Sequence, residues 1–462
     1  MISNEVFVSF ITCRRKAFIK QTGQVGEEAD IERVQLQLDK KYLGSGLDRF
    51  LAQQAVSEIL RDPPSLEIAI QSRVRFVVGA TALVGNLCSR LDLLERLDDG
   101  EKNAAMYAPV LFVRSNKVTK SDRLLLAFQA LTFSHVHGAV PVVGKIIFGG
   151  EFRLVRVRLA SLVDDVRRMV ALIEADSAKA SAPSLTLIRH CAACEFRKDC
   201  QAVAEQTDDL SLLRSLSEKE IQKQRSRGVT TLTQFSHAYQ PGRRGKRQSE
   251  KARKHDAALQ TLALREKKVY VMDAPSLVQP KVAIYLDVEG VPDRDFYYLI
   301  GLLVVEQGRS TFHSFWADNA SQENVAWDRC LQVVESFSEY TLYHYGQYET
   351  RFLERMKERG REEVGTAIDH VLTRSCNVLS VIYSHIYFPT RSNGLKDVAT
   401  LLGFRWSVEE ASGLQALAWR LAWELEEKEA LKQKLVRYNQ EDCLALRAYP
   451  RTPAVRSVTI AN

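Results

Sequence analysis

The sequence predicts an α/β protein with more than one domain. Three observations carry this expectation. At 462 residues the chain is too long for one ordinary core. From residue 279 it opens on apolar strand-like runs, KVAIYLDVEG, FYYLIGLLVVE and RSTFHSFWAD. It then alternates with helical patterns, as in SQENVAWDRCLQVVESF before YTLYHYG. Finally, a cysteine run at 191–200, CAACEFRKDC, closes a first region in which helical patterns mix with apolar strands.

The texture divides the chain into 1–207, a basic helical stretch 208–278, an α/β region 279–450 and a tail 451–462, with no internal repeat. A content of 45% hydrophobic and 26% charged residues is globular and argues against long disorder. The net charge of +7 favours an anionic partner such as nucleic acid, and equally describes a solvated basic surface. The sequence has no run of 18 apolar residues, so no membrane span is expected. The start, MISNEVFVSFITCRRK, lacks the basic segment and cleavage site of a signal peptide. A cytoplasmic location follows as the expectation. There thiols stay reduced, and clustered cysteines suggest metal rather than disulfides.

In the first region, Cys191, Cys194 and Cys200 follow the spacing C-x2-C-x5-C. Cys88, Cys330, Cys376 and Cys443 sit in apolar stretches, where a small buried hydrophobe is the ordinary role. Cys13 is different. It lies in FITCRRKAF beside three basic residues, surroundings that favour a thiolate. Four thiolates satisfy either Zn²⁺ or an iron–sulfur cluster. Structural zinc usually takes ligands in two near pairs, and one distant cysteine with a triple departs from that habit. The arrangement resembles the iron–sulfur clasp of the RecB-like nuclease family, which CRISPR-associated adaptation nucleases and AddB-type helicase–nucleases carry. The resemblance implies a restriction-endonuclease-type domain whose ends are stapled by a 4Fe-4S cluster on Cys13, Cys191, Cys194 and Cys200, with Zn²⁺ as the alternative. Its role would be stability, by closing a large loop and tying folding to metal binding. A helicase or a repair or defence protein is the partner class it suggests.

That family's core needs a metal-binding Asp and then Glu-x-Lys on a following strand. In SRLDLLE, Asp92 matches the Asp. In APVLFV, Leu111 and Val113 stand where Glu and Lys should be, and an apolar strand cannot hold a hard cation. DRLLLAFQAL keeps the helical pattern without the family's Gln and Tyr. The first domain is therefore expected to be catalytically silent.

In the middle stretch, SEKEIQKQRSRGVTTLTQFSHAY resembles a helix-hairpin-helix, with Gly228 in the turn and Thr230 or Thr231 as the second N-cap. It reads equally as a plain helical connector. In QPGRRGKRQSEKARKH, residues Arg243, Arg244, Lys246 and Arg247 could follow a phosphate backbone or form a solvated loop.

In the third region, AIYLDVEG presents Asp287 and Glu289 at i and i+2, on one side of a strand. Two carboxylates forced together repel unless a cation separates them, and Mg²⁺ or Mn²⁺ is the natural choice. An exposed strand end is the bland alternative. RYNQEDC places Tyr438 and Asp442 four apart on one helical face, and Glu349 falls where YHYGQYETRFL turns from strand to helix. These spacings resemble the DnaQ-type exonucleases of the ribonuclease H-like fold, and within them the YprB-like domains fused to RecB-like domains. SNGLKDVATLLGF also looks like that fusion family. The resemblance covers about 279–450 and implies a mixed sheet and two-metal-ion phosphodiester hydrolysis releasing a 3′ oxygen. Asp287, Glu289 and Asp442 would hold Mg²⁺ or Mn²⁺ with help from Glu349, and Tyr438 would orient the attacking water. The second motif departs from the family, carrying Glu349 where Asp is usual, which bears on rate and metal preference. Lys396 could meet a phosphate or be a solvated charge. Tyr345 and Tyr348 could stack on a terminal base or pack in the core. Pro450 should stop the last helix soon after Asp442.

The leading expectation is thus a metal-dependent nuclease, a 3′→5′ exonuclease on DNA or RNA, with a RecB-like domain that grips nucleic acid. The alternative is a non-catalytic nucleic-acid-binding or scaffold protein in which both sites have decayed. An iron–sulfur redox role has no other support in the sequence.

Overall fold

A computed structural model describes all residues outside 98–105, 240–254, 273–279, 360–361, 384, 409–410, 449–458 and 461–462. The chain forms two compact units, Met1–Leu185 with Ala193–Arg197, and Thr186–Ala192 with Lys198–Asn462. Among the described residues no helix is long and apolar enough to cross a membrane.

The first unit is built on a six-stranded sheet. Its strands run in the order Ile59–Arg61, Phe76–Val78, Leu93–Leu97, Met106–Val113, Val143–Phe148 and Arg153–Arg158. The central strands are covered on both faces, so they read as continuous apolar runs. Val110 and Ile147 join Leu47 and Leu51 of the Asp30–Leu51 helix in one cluster. Leu111 and Ile146 join Phe7, Phe128 and Val166 in another, from the helices Asn4–Thr12, Lys120–His137 and Ala160–Ser177. This is why APVLFV is apolar throughout: alternate residues enter two different cores.

The described part of 208–278 belongs to the second unit. Ser217 caps the Glu218–Arg225 helix through a capping box with Glu220. Gly228 turns the chain at φ 83°, a conformation that favours glycine. Thr231 and Gln234 form a second capping box at Leu232–Ser236. Arg225 ties this pair of helices down by a two-oxygen contact with Asp209, at 3.1 and 2.8 Å.

The second unit's main sheet has five strands in the order Arg309–Trp316, Phe296–Glu306, Val282–Val291, Thr341–His344 and Ser375–Asn377. The first three form an antiparallel meander. The last two run parallel to Val282–Val291. Alternation along Val282–Val291 feeds two cores. Ile284 and Leu286 pack with Trp327, Phe352, Trp419 and Leu435. Ala283 and Tyr285 pack with Val378, Val398, Cys443 and Leu446. The last long helix, Glu429–Ala448, contributes to both cores. Pro450 lies outside the described residues. Of the tail, Thr459–Ile460 pairs in parallel with Tyr270–Val271.

Candidate active site

The Val282–Val291 strand stays apolar to Leu286 and then places Asp287 and Glu289 on the same side as Ala283 and Tyr285. A register shift between Glu289 and Gly290 ends regular pairing there. Beside Asp287, on the neighbouring strand, stands Gly301. A Cβ at that position would lie 1.9 Å from Asn439 Oδ1. The missing side chain lets the Glu429–Ala448 helix descend onto the sheet. Tyr438, Asn439, Asp442 and Cys443 form its buried side there. Ligand oxygens of Asp287, Glu289 and Asp442 consequently lie within 4.8 Å of one another.

Fixed donors orient two of these carboxylates. Asn439 Nδ2 donates to the Asp287 carbonyl at 3.0 Å and to Asp287 Oδ2 at 2.6 Å. Trp406 Nε1 donates to Asp442 Oδ1 at 2.6 Å. Glu289 accepts no hydrogen bond from any described residue. Burial pushes the Asp287 carboxyl well above the usual range, and the charges of Asp442, Glu289 and Glu349 push it further. Glu289 is raised by burial and by Asp442, against Lys396. Asp442 is pushed up to about 6 by burial, opposed by Lys396 and the Trp406 hydrogen bond. Three crowded carboxylates, two of them rigidly supported and the third accepting no hydrogen bond, fit a hard divalent cation.

The other residues singled out in the sequence fall as follows. Tyr438 is 4% exposed, and burial together with Asp442, Glu289 and Asp287 raises its phenol far above the usual value. Lys396 Nζ donates to the Ala411 carbonyl and lies 4.3 Å from the Tyr438 ring centre and 5.0 Å from that of Trp406. Burial lowers its pKa while Asp442, Glu289 and Asp287 oppose that. Lys396 therefore belongs to the acid cluster rather than to an open helix surface. Glu349 stands outside the close triad, although its charge acts on Asp287 and Glu289. Tyr345 is committed to the Asn393 carbonyl at 2.6 Å, and Tyr348 packs edge-on against Tyr297. Arg243, Arg244, Lys246 and Arg247 lie outside the described residues.

The boundary between the units runs through the cysteine run. Cys13 and Cys194 belong to the first, Cys191 and Cys200 to the second. All four are half-buried. Cys13 breaks the first two helices and accepts from the Lys16 N–H at 3.5 Å. Burial opposes the charge of Lys16, while Glu32, Cys194 and Glu195 sustain it. In the second unit Cys191 Sγ accepts from the Ile188 N–H at 3.3 Å. Asp92 accepts from the Phe112 N–H at 3.3 Å, and burial pushes it up to about 6 against that bond and Arg90. Gln129, passed over in the sequence, is buried with its amide donating to the Arg90 carbonyl at 3.1 Å.

Sequence reasoning missed Asn439, Trp406, Gly301 and His344. Asn439 carried a signal, since it stands three before Asp442 on the same helical face. Trp406 and Gly301 carried none, because their partners are distant in the chain. His344 Nδ1 lies 3.8 Å from Glu349 Oε2, and both atoms are buried without a hydrogen-bond partner among the described residues.

Residues 284–449 match the family model RNase_H_2 of the RNase_H superfamily. No curated protein sequence matches the chain. The matched span contains the five-stranded sheet from Ile284 onward and all three close carboxylates. With the 3-2-1-4-5 strand order, the second unit carries a ribonuclease H-like domain within an α/β mixed-sheet protein.

Proposed function

We propose that the protein is a metal-dependent nuclease, a 3′→5′ exonuclease that hydrolyses phosphodiester bonds of DNA or RNA in its ribonuclease H-like domain. The observation that carries the reading is the triad Asp287, Glu289 and Asp442, whose ligand oxygens lie within 4.8 Å of one another. Three buried or half-buried carboxylates that close repel strongly, and a divalent cation turns that repulsion into binding. Bound Mg²⁺ or Mn²⁺ supplies Lewis acidity to the attacking water and to the leaving 3′ oxygen. Asn439 and Trp406 hold Asp287 and Asp442 in fixed rotamers. Tyr438, kept protonated by burial and its acidic neighbours, donates a hydrogen bond that orients the water rather than acting as a base. Glu349 assists from outside the triad. Lys396 offsets excess negative charge at the site.

In this reading the first unit is a catalytically silent RecB-like domain that grips nucleic acid. Cys13, Cys191, Cys194 and Cys200 hold a 4Fe-4S cluster, with Zn²⁺ the alternative, and the cluster serves stability. Asp92 supports silence, since it stands against an apolar strand with Arg90 as its charged neighbour.

The test incubates full-length protein with 3′- and 5′-labelled single-stranded DNA and RNA, in Mn²⁺ or EDTA, beside Asp287→Ala. Metal-dependent shortening from the 3′ end, absent in the variant, is expected. No cleavage by either protein with binding retained would replace this reading by the scaffold one. Metal analysis of anaerobically purified protein should find about four irons per chain; one zinc would select the alternative.

A further inference from the structure

A cavity of about 400 Å³ adjoins the acid cluster, lined by Gln201, Arg214, Thr390, Arg391, Lys396 and Trp406. Two of these residues also border the acids. Trp406 donates to Asp442, and Lys396 lies over the Tyr438 ring. We propose that this cavity is a subsite for a nucleic-acid backbone phosphate of the strand whose end reaches Asp287, Glu289 and Asp442. This deepens the nuclease reading and rests on it for the identity of the strand.

The donor set fits an anion. The Arg214 backbone N–H donates to the Arg391 carbonyl at 3.0 Å, which sets the two arginines side by side. The Arg214 guanidinium has no hydrogen bond or ion pair among the described residues. Arg391 pairs with Glu205 at 2.6 Å, a partly exposed contact that a phosphate can exchange for. Asp397, the carboxylate in the lining, already accepts from the Ser392 hydroxyl. Thr390 is 8% exposed, and its Oγ1 has no hydrogen-bond partner among the described residues. The volume admits a sugar-phosphate unit rather than a bare ion. Gln201 and Arg214 lie outside residues 284–449, so the chain ahead of the ribonuclease H-like domain would help to hold the substrate.

The experiment measures binding of full-length protein to short single strands of DNA and RNA in EDTA, by fluorescence anisotropy over a salt series. Each strand carries one neutral methylphosphonate, moved in turn from the 3′ end. For the wild type, one position should weaken binding about 3- to 10-fold. In Arg214→Gln that position should lose its effect, and the log–log salt slope should become shallower by about 0.7. Arg214→Lys should keep the slope. The DNA and RNA arms identify the sugar. Wild-type affinity and slope in Arg214→Gln would overturn the subsite. Because no cleavage is required, a protein that shows the phosphate-specific loss but cuts nothing keeps the subsite and sinks the hydrolytic reading.

Discussion

Asp92 and Asp287 are both aspartates at the margin of an apolar strand, and both titrate above the usual range, but for different reasons. Burial alone raises Asp92, and the charged side chain acting on it is basic. Burial raises Asp287 as well, and three further carboxylates add to it. A displaced pKa by itself therefore does not mark a metal site; a desolvated aspartate produces one. Convergence does. At Asp287 a second strand residue and a helix from the far end of the domain bring carboxylates to one point. At Asp92 the facing strand supplies Leu111 and Val113 instead, each serving the apolar packing of the first unit.

The sharpest way to break this contrast is to remove a carboxylate from each site. Asp287→Ala should lower cleavage by at least about 10³-fold, near 4 kcal/mol of barrier. Labelled strands cut at the wild-type rate by that variant would move the chemistry elsewhere.

The next largest effects should come from the supports. Asn439→Leu and Trp406→Phe each delete a donor that fixes a carboxylate. Each should lower Mn²⁺ affinity by about 10- to 100-fold. Calorimetric titration reads this without any activity assay. Unchanged affinity in both would mean that the carboxylates need no orienting.

How much of this was legible in the sequence follows from where each partner lies. Period-2 alternation brought Asp287 and Glu289 together, and an i, i+4 spacing put Tyr438 with Asp442. Both are local rules. The Asn439–Asp287 bond joins residues 152 apart, and no local pattern contains it. Gly301 read as an ordinary residue of FYYLIGLLVVE, because the helix that needs its missing side chain is distant in sequence. The meander of strands was readable from its apolar runs. The course of the unit boundary through the cysteine run was not, since nothing within a run continuous in sequence marks where one unit gives way to the other.

A pH dependence sharpens the contrast at smaller magnitude. The Asp442 carboxyl titrates near 6 when folded against about 3.8 unfolded. A raised acid favours the folded state below the unfolded value, and that advantage disappears as pH rises through about 6. Without metal, this cluster should therefore weaken the second unit at pH 7.5 relative to pH 4.5. Mn²⁺ should reverse the loss at pH 7.5 and do less at pH 4.5, where protons compete for the same oxygens. Melting curves with Mn²⁺ and with EDTA at the two pH values measure both signs. A Mn²⁺ stabilisation equal at both would show that the ion binds away from these acids.

The smallest effect on activity is expected at Asp92, where the change should appear in stability instead. Asp92→Asn keeps the shape and the acceptor for the Phe112 N–H while deleting the ionisable group. If Asp92 is a passive buried acid, strand cleavage should match the wild type. The same linkage applies here: with a folded pKa of about 6, the ionised carboxylate costs the first unit on the order of 3 kcal/mol above that pH. The asparagine variant should thus recover clearly more stability at pH 7.5 than at pH 4.5. Melts of full-length protein at both pH values, beside the cleavage assay, separate the outcomes. A variant that cuts more slowly while melting as predicted would give the first unit a catalytic part after all, and the two aspartates would then differ in strength of metal binding rather than in kind.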